Sequence, residues 1–424
     1  YTSDEKHVSF VDQEIVETIN NRIDELSPAL RELSLKIHDH PELMWKEHFA
    51  HDTLTAFMES YGFDVTRHYL GLDTAWRADF KFRSSASKVS EQSSTIHTLG
   101  INSEMDALPA IGHACGHNLI AIAGVGIAIA AKAALEKHDL DGNIVLLGTP
   151  AEEGGAGKVA LIEKGGYKDM DLCLMCHPGP GPKKSSGVGP SLALTGIQVE
   201  YFGHTAHASA APWEGKNALD AAFLAYSAIS VLRQQIKPTH RVHGIVEGRD
   251  WAPNIIPDYA KMRWLVRAPS AAEVEILKER VTNCFKAAAL STGCKMEMRT
   301  DETMYDLRQN TMLAKEYLHI IQKYGMGPNS MEGAIGGSTE LPSLHPSYGM
   351  GSFTSHISPP LTYVAIPTTP NGGNHTRGFT DAARTKVAHE CTLRVSKALT
   401  VLGIRALTDE KFLKEVKDAF NPNK

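Results

Sequence analysis

His113-Ala114-Cys115-Gly116-His117-Asn118 runs directly into Leu119-Ile120-Ala121, the start of an apolar stretch that reads as a buried helix to about residue 137 despite Gly124 and Gly126. Upstream, Thr95–Ile101 reads as a strand and leads into Glu104-Met105-Asp106-Ala107-Leu108-Pro109. Downstream, Ile144–Leu147 and Leu172–Met175 are further strand-like runs, with a helical pattern over 156–165. Strands alternating with helices predict a mostly parallel sheet covered on both faces. Ligands gather at the carboxyl edge of such sheets, which makes Asp106 a candidate, although an Asp at a strand end is commonly a turn or capping residue.

Working outward, residues 11–60 carry apolar positions at helical spacing (Ile15, Ile19, Ile23, Leu26), and Pro41 in His40-Pro41-Glu42-Leu43 starts a new turn. Near 190 the pattern changes. Ala193–Phe202 reads as a strand, 215–236 as an amphipathic helix, 255–267 as a strand and 270–291 as a helix, a pattern of ferredoxin-like α+β type. A helix over Thr311–Tyr324, a Gly/Ser/Pro/Thr-rich stretch over 333–378 and a closing helix over Asp381–Leu402 follow. The expected fold is therefore a two-domain α/β protein. One domain, 1–191 and 306–424, is interrupted by a smaller one, 192–305.

Composition narrows the function classes. The 424 residues are 42% hydrophobic and 22% charged, with a net charge of −6, so no basic surface points to nucleic acid. No apolar run is read as the ~20 residues of a membrane span. The chain starts at Tyr1, so the lack of a signal peptide carries little weight. Six cysteines without framework spacing suggest reduced thiols and a cytoplasmic setting. Asn374-His375-Thr376 is a formal glycosylation sequon, discounted because its His is wanted elsewhere.

Chemistry concentrates in five places. Cys115 and His117, two apart at a loop-to-helix junction, can face one metal pocket, and the helix N-terminus would favour the thiolate; the bland alternative is a buried Cys beside capping residues. Glu152 and Glu153 follow the second strand in Thr149-Pro150-Ala151-Glu152-Glu153-Gly154-Gly155, on the same strand edge as Asp106, though paired acids often mark a solvated turn. Cys173-Leu174-Met175-Cys176-His177 matches a haem-attachment pattern, but alternation in an apolar strand puts the two cysteines on opposite faces; structural thiols, with His177 alone presented at the strand end, fit better. His207, in Gly203-His204-Thr205-Ala206-His207, and Asn254 lie in the inserted domain with His243 and Arg267, where a His and an Asn could polarise a carbonyl. His375 precedes the closing helix and gains weight only from the ensemble. Thiolate, imidazole and carboxylate are the ligands of zinc-like ions, and a free carboxylate beside them is the base needed to activate water.

In order, His40-Pro41-Glu42-Leu43, Met105-Asp106-Ala107-Leu108-Pro109, Gly112–Ile120, Thr149–Glu153, His177-Pro178, His207-Ala208-Ser209, Pro212–Gly215, Pro253–Pro257, Arg267-Ala268-Pro269 and His375-Thr376 resemble the M20 metallopeptidase family. The likeness covers about residues 30 to 400 and is to its amidohydrolase and aminoacylase branch, a dipeptidase group in particular. It implies two divalent metal ions, Zn²⁺ foremost with Mn²⁺, Co²⁺ or Ni²⁺ as alternatives, held by Cys115, His117, Glu153, His177 and His375, with Cys115 bridging where other members use a carboxylate. It further implies Glu152 as general base, Asp106 as the residue that fixes a ligand, and His207, Asn254, Arg267, Gly337 and Ser338 as groups around the substrate. Amide hydrolysis of a dipeptide or N-acyl amino acid, with a basic C-terminal residue favoured, is the implied activity. The smaller domain is implied to serve as lid and homodimer interface, with His207 acting in the partner subunit's site.

Glu340 stands where the family usually has Asp, Leu341–Leu344 breaks the sequence expected next, and Leu361–Gly373 is extra. The unusual segment motivates one alternative, a specialised biosynthetic amidase or amide-forming enzyme using the same site. The other, a non-catalytic binding protein that keeps the fold, would be favoured by loss of a ligand or base, and all five ligand candidates and the base are present.

Overall fold

A computed structural model describes residues 11–89, 95–181, 184–189, 191–301, 303–304, 306, 310–328, 361–366 and 372–419. Gly337 and Ser338 lie outside them. The chain divides into two compact units: among the described residues, one runs up to Gly189 and resumes at Asn310, and the other takes 191–306.

The first unit opens with helices α1 (Gln13–Asp39) and α2 (His48–Ser60). Asp12 caps α1 by accepting the Glu14 N–H, and Ile19, Ile23, Leu26, Leu30, Leu33 and Ile37 bury one stripe of it. Strands β1 (Asp64–Arg67) and β2 (Trp76–Phe82), the short helix α3 (Ser85–Val89) and strand β3 (Thr98–Glu104) follow. Then come helix α4 (His117–Lys137), strand β4 (Gly142–Thr149), helix α5 (Gly157–Glu163) and strands β5 (Leu172–Pro180) and β6 (Ser185–Val188). All seven residues of β3 are buried, as expected of a central parallel strand covered on both faces.

α4 is apolar nearly all round because it is enclosed: α1, the later helix α10 (Lys386–Thr408) and β3 all pack on it. It is long and apolar enough to cross a membrane, contrary to the length read from the sequence, but 89% of its most apolar window is buried inside the protein. It is a core helix.

The second unit holds strand β7 (Ala193–Phe202), helix α6 (Ala218–Leu232), strands β8 (Arg241–Gly248) and β9 (Tyr259–Ala268), helix α7 (Ala271–Thr292) and strand β10 (Lys295–Thr300). Its antiparallel sheet has the order β10-β7-β9-β8. This is the ferredoxin-like arrangement, with a core of Val199, Tyr201, Met262, Trp264, Val281 and Phe285 among others.

Back in the first unit, helix α8 (Thr311–Gln322), strands β11 (Gly327–Pro328) and β12 (Leu361–Ile366), and helices α9 (Arg377–Ala383), α10 and α11 (Glu410–Ala419) complete the chain. The sheet order among the described residues is β1-β2-β4-β3-β5-β12-β6-β11. Its centre, β4-β3-β5-β12, is parallel, while β1-β2, β2-β4 and β12-β6 are antiparallel. The sheet is therefore mixed, parallel in most of its pairings, β6-β11 included, and antiparallel in the rest. The reason is connection length: eight residues between β1 and β2 permit a return of direction but no crossover helix.

β12 falls in the stretch whose composition reads as loop. By pairing alongside Met175–Pro180 it also extends β5 past His177, which thus sits within a strand instead of at its end.

Candidate active site

Three parallel strands of the first unit bring polar residues to one edge of the sheet. β3 ends at Glu104, with Asp106 just beyond; β4 ends at Thr149, ahead of Glu152 and Glu153; β5 carries His177. Cys115 and His117 stand at the start of α4 and His375 in the turn before α9. Gly116, between the two ligand candidates, has φ +80°, and a Cβ there would meet Pro178 Cγ at 2.5 Å. Only glycine lets the loop turn into α4 this close to β5.

These residues converge. Cys115 Sγ lies 3.4 Å from His177 Nε2. His375 Nε2 lies 3.3 Å from Glu153 Oε2. His117 Nε2 is 3.7 Å from both Glu152 Oε2 and Glu153 Oε1. Among the described residues the donor atoms form three groups, each with its atoms within 4.8 Å of one another: Cys115-His117-His177 and Cys115-Glu153-His375, which share Cys115, and the fully buried Glu104-His117-Glu152. A soft sulfur, three imidazoles and a carboxylate so disposed suit a borderline metal such as zinc.

Asp106 ties the two halves together. Its Oδ1 is 3.1 Å from His117 Nδ1, and its Oδ2 accepts the Glu153 N–H at 2.9 Å. That leaves His117 Nε2 aimed at the cluster, the usual way a carboxylate orients a metal-binding imidazole. His177 is oriented similarly, with Nδ1 2.7 Å from Pro178 O.

Electrostatics follow from burial and neighbours. Burial alone would lower the His117 pKa, but Asp106 and Glu104 beside it raise it well above the usual range. Burial, reinforced by Glu104, raises Glu152 well above an ordinary carboxyl. Burial would raise Glu153 too, yet His375 and His117 win and hold it low. Asp106 is held low against burial by His117 and backbone N–H groups. Burial lowers His177. Burial also pushes the Cys115 thiol up, only partly offset by His117, so the helix terminus alone does not create the thiolate expected from sequence. A bound cation would have to displace that proton.

The sequence reading passed over several residues around this cluster. Glu104 Oε2 is 3.3 Å from His117 Nε2, and its Oε1 is 2.5 Å from Lys158 Nζ, both side chains being fully buried. Asn374 donates to Pro178 O at 3.2 Å and lies 3.8 Å from Cys115 Sγ, so the sequon asparagine is engaged in the site loop. Glu47 accepts the Ala151 N–H at 2.8 Å. Glu104 and Lys158 are each single charged residues at an element's end, a signal shared with countless surface residues; only burial marks them.

The remaining candidates belong to the second unit. His207 is exposed, and its Nδ1 faces the N–H groups of Ser209 and Ala210 at 3.3 Å. With Nδ1 accepting, Nε2 carries the proton and can donate it. Asn254 lies on the adjoining loop, its carbonyl accepting the Ala208 N–H at 3.0 Å. On the sheet, burial lowers the Arg267 pKa, and burial together with Arg267 lowers that of His243.

Residues 100–415 match the model of peptidase family M20/M25/M40. A mouse Xaa-Arg dipeptidase is 39% identical over 406 residues, covering 94% of this chain and 90% of its own length. Its human counterpart is 38% identical over 416 residues with the same coverage. A p-aminobenzoyl-glutamate hydrolase chain of Escherichia coli is 30% identical over 333 residues, 74% of this chain and 66% of its own. Among solved structures, a dinuclear metal binding peptidase from the M20 family of Bacillus subtilis superposes with a TM-score of 0.68 at 18% identity, covering 91% of this chain and 99% of that one. The expected two-domain α/β fold is thus that of M20 peptidases. On these grounds the chain belongs to peptidase family M20/M25/M40 and is a hydrolase of peptide or amide bonds.

Proposed function

We propose that this chain is a dipeptidase working with two divalent metal ions, held by Cys115, His117, Glu153, His177 and His375, with Glu152 as its general base. The observation that carries the reading is the pair of donor groups sharing Cys115; Glu152 is in neither, lies 3.7 Å from His117 Nε2, and groups instead with Glu104 and His117. When bound, such ions supply Lewis acidity and lower the pKa of water. We assign Zn²⁺ on the softness of the donor set.

Glu152 takes the proton of the attacking water as the new C–O bond forms. It then returns that proton to the amine as the C–N bond breaks. Asp106 keeps His117 in its tautomer. His207, through Nε2–H, and Asn254 are assigned to the developing oxyanion, and Arg267 to the substrate carboxylate. Gly337 and Ser338 are assigned to the substrate pocket on resemblance alone.

Similarity to two Xaa-Arg dipeptidases supports a dipeptide with a basic C-terminal residue, arginine, lysine or ornithine. A homodimer through the second unit, which also serves as lid, belongs to the same proposal. So does a cytoplasmic setting, supported by six cysteines all in the free form.

Amine release from a panel of dipeptides and N-acyl amino acids, with added Zn²⁺, Mn²⁺ or Co²⁺ and a chelator control, tests the reading. Metal-dependent cleavage of peptides ending in a basic residue is expected. Metal-loaded protein that cleaves none of the panel would overturn the dipeptidase reading in favour of a specialised amide. Protein that neither binds metal nor hydrolyses would leave a binding protein.

A further inference from the structure

The loop joining β4 to α5 carries both acids of the site, and its own backbone closes it only on Ala151 O, which accepts the Gly155 N–H at 3.0 Å and the Gly157 N–H at 3.4 Å. Ala151 and Ala156 flank the acids at φ +55° and +54°. Left-handed backbone is disfavoured for a residue with a Cβ, which there crowds the following carbonyl oxygen. At Gly157 even a Cβ is excluded, since it would stand 1.8 Å from Pro150 O. Strained backbone persists only where its surroundings over-determine it.

Here the surroundings are three side chains. Glu47 is fully buried, and its partners are neutral N–H and O–H donors: Oε1 accepts the N–H of Ala151 at 2.8 Å and that of Trp45 at 3.1 Å, while Oε2 accepts the Thr74 hydroxyl at 2.6 Å. The Trp45 indole N–H donates to Gly155 O at 3.2 Å. Asp106 takes the Glu153 N–H. The loop is therefore pinned at 151, 153 and 155, on either side of Glu152.

The platform is itself anchored. Glu42 O accepts the Ala107 N–H at 2.8 Å, and the Glu42 carboxylate accepts the N–H groups of Phe49 and Ala50 at the start of α2. One segment, 42–47, thus fixes the loop of Asp106 and the loop of Glu152 together.

We infer that Glu47, assisted by the Trp45 indole, is a positioning residue for the general base, holding the 151–155 loop so that Glu152 stays within reach of the water it deprotonates. The inference rests on the reading of Glu152 as base. Neither Glu47 nor Trp45 is assigned a contact with reacting atoms. A misplacement of about 1 Å is enough to cost on the order of 10²-fold in rate.

The test measures kcat and KM of E47L, E47Q, W45F and E152Q at verified full metal occupancy, well below each variant's Tm. E47L leaves the Ala151 and Trp45 N–H groups without an acceptor and should lose about 100-fold in kcat with little change in KM. E47Q keeps an oxygen for Ala151 and should retain most of the rate, which a requirement for charge would not allow. W45F should lose several-fold in kcat. Added to E152Q, E47L should leave the residual rate unchanged, because no base remains to position.

Wild-type kcat in folded, metal-replete E47L overturns the inference, as does an equal loss from E47L with and without Glu152. Should E47L fail to fold, W45F decides: a lower kcat at constant KM supports the inference, and an unchanged kcat overturns it. Turnover by E152Q at the wild-type rate would instead sink the base assignment itself.

Discussion

Asp106 holds His117 and Glu153 at once, one carboxylate oxygen 3.1 Å from the imidazole Nδ1 and the other 2.9 Å from the backbone nitrogen of Glu153. A residue from the turn after β3 thereby sets the distance between a side chain of α4 and the loop after β4. Replacing it with alanine frees the His117 ring to rotate and to change tautomer. We expect Asp106→Ala to weaken metal binding by about 10–100-fold, as loss of a ligand-orienting carboxylate generally does, with a matching fall in activity at limiting metal. Metal titration by calorimetry checks this, and unchanged affinity would contradict the orienting role.

Glu152 stands beside the donor cluster but belongs to neither Cys115-containing donor group, so its removal should separate chemistry from binding. Glu152→Gln is expected to lower kcat by about 10²–10⁴-fold while two metal equivalents remain bound. Elemental analysis of the purified variant alongside its rate gives both numbers. Loss of metal together with rate would make Glu152 a ligand instead.

Cys115 is common to both donor groups. Serine at this position keeps the size but does not ionise near neutral pH, so Cys115→Ser should bind fewer than two equivalents and lose activity. Aspartate restores an anion able to bridge, and Cys115→Asp should recover binding of both ions. Equal metal content in C115S and wild type would remove Cys115 from the shared position.

His389 gives a pH prediction away from the site. It is 2% exposed on α10, with Nε2 3.0 Å from Ser27 Oγ of α1. Burial, with Arg31 nearby, lowers its pKa from the usual 6.5 to about 4. Between those values the unfolded chain binds a proton that the folded chain refuses, so stability is complete above about pH 6.5 and falls as pH drops toward 4. The contribution is at most about 3 kcal/mol. His389→Gln should flatten that part of the stability curve, read from denaturant unfolding at pH 7.5 and 4.5. An unchanged slope would show that other groups carry it.

Much of the architecture was legible because it is written in local pattern. The apolar run after His117, the alternating strands and helices around it, and the strand-helix repeat from Ala193 each commit a short segment to one geometry by where its apolar residues fall. Two strands escaped: β1 because it spans only four residues, none of them buried, and β12 because it lies inside a stretch whose Gly, Pro and Thr content reads as loop.

The candidate donors, too, were visible in the chain, since Cys, His and Glu at turns after strands are few and the order of motifs is specific. What their types and spacing leave undetermined is which of them meet. Cys115 and His375 are 260 positions apart, and only the packing of the α9 turn against the start of α4, fastened by the His375 N–H on Ala114 O at 2.8 Å, makes them neighbours. The buried Glu104–Lys158 pair and the Glu47 clamp were silent for the same reason. A charged residue in sequence looks alike whether water or protein surrounds it, and the fold alone removes the water.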